Sequence, residues 1–188
     1  MRISLKDISQ TDVLAGALNG KSLLMRLLEA TMSEPPEPEP LFVDFSGIKV
    51  ATASFLRESI LALRDIVRSR RSTLYPVVAN PNETVRDELV ELANSRGDVL
   101  MTCVLDDDGG VISPTPIGNL DPKQRMTFEI VSERGETDAG ELMRDNGEGL
   151  RHATAWNNRL ASLASMGLIM EISRGRSKRY RPLFSEHA

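Results

Sequence analysis

Two kinds of apolar pattern alternate along the first hundred or so residues of this chain. Short, nearly continuous apolar runs are separated by longer segments whose apolar residues recur every three or four positions. "RISLKDI" alternates well enough for an edge strand, and residues 12–32 read as a helix with Leu24, Leu27 and Leu28 on one face. "LFVDF" (41–45), "LYPVVA" (74–79) and "VLMTCVL" (99–105) are the runs expected of strands covered on both sides. Pro76 predicts that the second of these lies at a strand end or a sheet edge. Between the runs, Leu56, Ile60, Leu63 and Val67 form one stripe, with Arg57, Glu58, Arg64, Asp65 and Arg68 off it. "NPNETVRDELVELANSRG" adds a helix with Asn80 or Asn82 as its cap, a Val85, Leu89, Leu92 face and Gly97 as its stop. Strand and helix alternating in this way predict an α/β layer with crossover connections.

The pattern then breaks. "DDDGGVISPTPIGNLDP" (106–122) packs turn formers and three prolines together, which predicts an α/β domain over residues 1–115, a linker over 116–121 and a second domain over 122–188. "SEPPEPEP" (33–40) is an exposed loop, because the segment before it is too short to fold alone. In the second domain, Asp121-Pro122 starts a helix that Gly135 ends, and Thr137 caps a short helix. "LRHATAWNNRLASLASMGL" turns Ala153, Trp156, Leu160, Leu163 and Ala164 to one face. "LIMEIS" and "KRYRPLF" follow as strands around "RGRS", so this domain is α+β.

Charge sharpens the division. The chain carries a formal −4 over 188 residues, with 12 basic and 18 acidic side chains in residues 1–121 against 11 and 9 in 122–188. From Arg151 onward seven cations face only Glu171 and Glu186. Two modules with different partners produce such a split. No run approaches the roughly 20 apolar residues of a membrane span, and the N-terminus lacks the apolar core of a secretory signal. A cytoplasmic protein with no membrane partner is expected. Cys103, alone and inside an apolar run, reads as a buried inert thiol.

The candidate chemistry is sparse. "AGALNGKS" (15–22) satisfies a loosened phosphate-loop pattern, but no apolar strand ends directly before Ala15, and "LFVD" follows only about 20 residues on; a helix interior is the better reading. Asp106, Asp107 and Asp108 precede Gly109 and Gly110, as at a hairpin tip left in water. No Ser, His and Asp constellation emerges, with His152 at the start of the segment "LRHATAWNNRLASLASMGL" and His187 near the end. A non-enzyme without cofactor or metal site is expected.

The segment "LFVDFSGIKVATASFLRESILAL" carries more. A strand ending in Asp44, a Ser46-Gly47 turn and a short loop into Thr52 to Phe55 resemble the STAS fold of anti-sigma-factor antagonists, and more closely its STAS-like bacterial branch, over residues 1 to about 115. In that family the helix start bears a phosphorylatable serine; the matching position here holds Ala53, which leaves Ser54 and Thr52 as the candidate phosphorylation positions. A phosphate there would meet the positive end of a helix dipole. The plainer reading is that these hydroxyls cap the helix and Phe55 fills the core. The resemblance implies a protein partner, of the kind of a histidine-kinase-like ATPase.

The stretch "NRLASLASMGLIMEISRGRSKRYRPL" resembles the end of bacterial winged helix-turn-helix regulators over about residues 122–184. Three helices and a hairpin fit that architecture, and Arg151, Thr154 and Asn158 share the face opposite the apolar stripe, as a major-groove helix requires. Asn157 and Asn158 can pair with adenine edges, Thr154 can meet phosphate or a thymine methyl, and Arg159 can act alike or merely solvate the helix. Arg174, Arg176 and Lys178 are the expected phosphate contacts of the wing; Arg179 is a further candidate DNA contact, although it and Arg181 alternate with Tyr180 and can instead lie on the outer face of the hairpin. The expected function is a DNA-binding regulator, a homodimer on double-stranded DNA, whose STAS-like module senses a protein partner. The competing class is a non-DNA interaction subunit of a defence or signalling assembly.

Overall fold

The protein is mixed α/β, built on a mixed sheet. The computed structural model describes residues 1–145, 153–174 and 177–184, with only the backbone of Ser173, Arg174 and Ser177. It divides into two compact units, Met1–Asn119 and Leu120–Ala188.

In the first unit, β1 (Arg2–Ser4) leads through α1 (Leu5–Ser9), β2 (Val13–Leu14) and α2 (Ala17–Ala30) to β3 (Glu39–Asp44). β4 (Val50–Ala51) precedes α3 (Ala53–Leu56), which runs through a π-helical turn (Arg57–Leu61) into α4 (Ala62–Ser69). β5 (Leu74–Ala79), α5 (Glu83–Arg96), β6 (Val99–Leu105) and β7 (Val111–Gly118) complete it. The sheet order is β1-β3-β5-β6-β7, parallel except for the last pair, while β2 and β4 form a small parallel pair of their own. Each parallel step moves the same way across the sheet, and right-handed crossovers therefore put the connecting helices on one face. The core agrees: Leu23, Leu27, Leu56, Ile60, Leu63, Val67, Val85 and Leu89 pack with the alternate strand residues Leu41, Val43, Leu74, Val78 and Leu100. Leu27, Leu63 and Leu89 have no exposed surface, and burial of each contributes on the order of 1.5–3 kcal/mol.

Several expectations are revised. Pro76 lies in β5, the middle strand, rather than at an edge; the ladder to β6 registers only Val78 and Ala79, so the missing N–H falls beside a stretch that β6 does not pair. Pro116, expected in the linker, lies with Pro114 in β7, a sheet-edge strand where a lost donor is tolerated. The first unit accordingly extends through residues 116–119. "RISLKDI" gives a three-residue edge strand and then a helix capped by Ser4, whose Oγ accepts from Asp7 N.

Arg64, expected on the solvent side of its helix, is only 5% exposed. Its guanidinium donates to Asp98 at 2.6 and 2.9 Å, to Asp65, and to the Val99 carbonyl at 2.8 Å. This ties α4 to the start of β6. Gly20 sits inside α2 against the next helix: a Cβ there would lie 2.7 Å from the Phe55 carbonyl oxygen. That close approach accounts for the glycine that gave "AGALNGKS" its phosphate-loop appearance. Gly16 is merely the N-cap of α2, and Lys21 is 64% exposed with Glu58 3.9 Å away.

Candidate nucleic-acid interface

The second unit contains α6 (Pro122–Arg134), α7 (Ala139–Asp145), α8 (Ala153–Ser165) and an antiparallel hairpin of β8 (Ile169–Arg174) with β9 (Ser177–Pro182). Asp121 caps α6 through Lys123 N and Gln124 N, with Pro122 in the first turn as expected. Asp138, rather than Thr137, caps α7, accepting from Gly140 N and Glu141 N at 2.8 and 2.9 Å. Thr137 has a different task. It forms an isolated antiparallel bridge with Tyr180, so the segment between α6 and α7 is pinned to the outer edge of β9 at one residue.

α8 folds against this frame by its apolar side, with Trp156, Leu160, Leu163 and Ala164 buried. Gln124 of α6 reaches it, donating to Ser162 Oγ at 3.1 Å. On the other side Thr154, Asn157 and Asn158 are exposed, at the i, i+3, i+4 spacing that sets three side chains on one helix face. Ala153, expected to point inward, is exposed with them. Arg159 is half-buried, its guanidinium 5.4 Å from the Trp156 ring centroid. That stacking holds the arginine along the helix. The Trp156 Nε1 is buried and has no hydrogen-bond partner among the described residues.

The cations of the hairpin behave differently from one another. Lys178 is 48% exposed and pairs with Glu171 at 2.9 Å across the hairpin. Arg179 is 25% exposed and donates to Glu136, to Asp138 at 3.2 Å and to both carboxylate oxygens of Glu141 at 3.1 and 3.2 Å. Arg179, a candidate DNA contact in the sequence, has its donors on three carboxylates beside the Thr137–Tyr180 bridge, which gives it a structural role there. Those contacts raise the Arg179 pKa and hold Glu141 below the usual carboxylate range. Arg151, His152, Arg176 and His187 lie outside the described residues, as does the side chain of Arg174.

Thr52 and Ser54 in the first unit are half-buried at the start of α3. The Thr52 hydroxyl accepts from Phe55 N and Gly16 N and lies 3.2 Å from Ser54 Oγ. The Glu88 carboxylate accepts from Ala53 N at 3.0 Å. The helix start that was to welcome a phosphate therefore already has a carboxylate on it, and a second anion there meets like charge.

A polar cluster at the carboxyl ends of the strands escaped the sequence reading. Asp44 is 2% exposed and accepts from Ser46 N, Ser46 Oγ and Asn80 Nδ2 with one oxygen and from Arg2 with the other. Burial works to raise its pKa, but these donors outweigh it and hold the carboxyl below its ordinary value. Asn80 has φ +52° and also accepts from Leu105 N, so one amide ties the ends of β3, β5 and β6 together. Asn82 caps α5 and donates to the Ile48 and Lys49 carbonyls. The signal for this cluster lies in two asparagines directly after a strand, which propensity alone assigns to a turn or cap. Asp106 accepts from Asp108 N and Gly110 N, as a hairpin tip. Among the described residues no group of His, Cys, Asp or Glu could hold a metal ion, and no helix is long and apolar enough to cross a membrane.

Neither a known protein-family model nor any curated protein matches the sequence.

Proposed function

We propose that this protein is a bacterial DNA-binding regulator whose carboxy-terminal unit is a winged helix-turn-helix domain. The observation that carries the reading is the exposed Thr154, Asn157 and Asn158 face of α8, a helix whose opposite side is docked beside a hairpin. A helix so held presents short polar side chains to base edges, where Asn pairs bidentately with adenine. Lys178 remains half-exposed and suits a phosphate at the groove edge. The STAS-like α/β unit senses a protein partner, of which a histidine-kinase-like ATPase is the kind its resemblance suggests, and two copies bind paired half-sites. Regulation then follows from a partner that binds one of two states more tightly than the other. The protein works in the cytoplasm and carries out no reaction of its own.

The carboxylate pairing of Arg179 and Lys178 favours a second reading, in which the hairpin is a protein-interaction surface of a larger signalling or defence assembly. Fluorescence anisotropy with a random-sequence duplex across a salt series separates the two. The DNA reading requires binding at low salt that weakens as salt rises. Absence of binding even at low salt leaves the interaction reading.

A further inference from the structure

A cavity of about 290 Å³ opens between the loop after α1, β2 and α2 of the first unit. Its floor is apolar, formed by Leu14, Leu23 and Phe55, each 5% exposed or less. Ser22 and Arg26 stand at its rim on the exposed side of α2. Arg26 is the only charged residue of the lining. A guanidinium carries five N–H donors; that of Arg26 donates to the Ile8 carbonyl and meets no carboxylate among the described residues. Asp12, adjacent in sequence to the lining, is taken by Lys49 at 2.8 Å. The site thus combines three apolar side chains at its floor, hydroxyl and amide groups of Ser9, Thr11, Asn19 and Ser22 around them, and a cation held at one end by a backbone carbonyl, with no acid in the lining.

From this we infer that the α/β unit binds a small organic monoanion with a short apolar body, represented by a medium-chain or aromatic monocarboxylate. The volume lies at the lower end of the roughly 300–1,000 Å³ of small-molecule sites. One guanidinium matches one carboxylate in a bidentate pair and cannot balance a polyphosphate. A divalent cation finds no carboxylate ligand in the lining. The apolar floor selects for a hydrocarbon body over a bare inorganic anion, because each buried methylene adds about 0.8 kcal/mol. Phe55 lies in the first turn of the helix that Thr52 caps, and Thr52 also holds Gly16 beside the cavity, so an occupant touches the first turn of α3 directly. This inference does not depend on the DNA reading.

The test is isothermal titration calorimetry of the full chain with sodium acetate, butanoate, hexanoate, octanoate and benzoate, and with the neutral hexanamide. Hexanoate or benzoate should bind, with hexanamide about tenfold weaker or more, the loss expected for removing a charge-assisted hydrogen bond, and acetate weaker by at least as much because it buries no methylenes on the floor. Arg26→Gln should weaken binding by a similar factor, and Ser22→Trp, placed on an exposed helix position, should block the mouth while the melting temperature holds. The inference fails if no carboxylate binds, if hexanamide equals hexanoate, or if Ser22→Trp binds as the wild type does. Should Arg26→Gln not fold, the amide comparison and Ser22→Trp decide the matter.

Discussion

Thr137 and Tyr180, far apart in sequence, exchange two backbone hydrogen bonds, 2.9 Å from Thr137 N to the Tyr180 oxygen and 2.8 Å from Tyr180 N to the Thr137 oxygen. Both side chains have no exposed surface. The pair fixes the hairpin to the entrance of α7, and Arg179, next to Tyr180, clamps the same junction through Glu136, Asp138 and Glu141. The hairpin is therefore positioned by backbone pairing reinforced by one guanidinium.

Arg179→Ala should loosen that junction locally. Amide hydrogen exchange at Thr137 and Tyr180 is expected to speed up by about tenfold or more, as local opening becomes cheaper than global unfolding, while exchange in residues 1–119 stays unchanged. Arg179→Lys should lie between, since an ammonium cannot make the fork-shaped contacts with Glu141. Unchanged exchange in both variants would remove the clamp.

Asp98→Ala should leave the buried Arg64 guanidinium with only the Val99 carbonyl and the more exposed Asp65 as partners. Arg64 and Asp98 side chains are 6% and 17% exposed, and breaking a buried pair by deleting one member costs about 3–5 kcal/mol. Urea denaturation of the variant should show a lower midpoint with an unchanged slope. A change under 1 kcal/mol contradicts the account.

Acid should act on the α/β unit late. Burial tends to raise Asp44 and Asp98, but Arg2, Ser46 and Asn80 around the first and Arg64 beside the second hold both below the usual carboxylate range. A depressed folded-state pKa gives stability that is fully present above the unfolded value, about 3.9, and that is lost as pH falls through the lower folded value. Thermal melts should therefore be flat on this account from neutral pH to about 4 and fall steeply below, and Asp98→Asn should blunt that fall. A loss of stability centred well above pH 4 that both carboxylates share would contradict it.

Cys103 is 2% exposed, and burial with the nearby Asp44 charge pushes its thiol up to about 12. Because the thiolate is the reactive form, iodoacetamide at pH 8 should leave the folded protein unlabelled and modify it only in denaturant. Rapid labelling of the native chain would overturn the burial.

Much of the framework was legible in the residues themselves. The apolar runs of β3, β5 and β6 and the Leu56, Ile60, Leu63, Val67 stripe declare themselves by period, and Asp121-Pro122 and Gly97 mark helix ends by chemistry that acts within a few residues. What stayed hidden depends on partners distant in sequence. Arg64 looks like a surface cation until Asp98 is brought beside it, 34 residues away. Arg179 looks like a phosphate contact until Glu136 and Glu141 fold back on it. Pro76 argues for an edge unless the ladder with β6 is known to be short. The α8 face was legible because it is local: residues at i, i+3 and i+4 share a side wherever the helix docks.

The most direct test of the DNA reading is the anisotropy titration repeated with Asn157→Ala/Asn158→Ala and with Arg179→Ala. The account predicts that the wild type binds duplex at low salt and that the asparagine pair, once removed, costs about 1–3 kcal/mol per lost base contact with the fold intact by circular dichroism. Arg179→Ala should change the salt slope by less than one phosphate contact. Wild-type chain that ignores duplex DNA at low salt, or an asparagine variant that binds every sequence as tightly as the wild type, contradicts it.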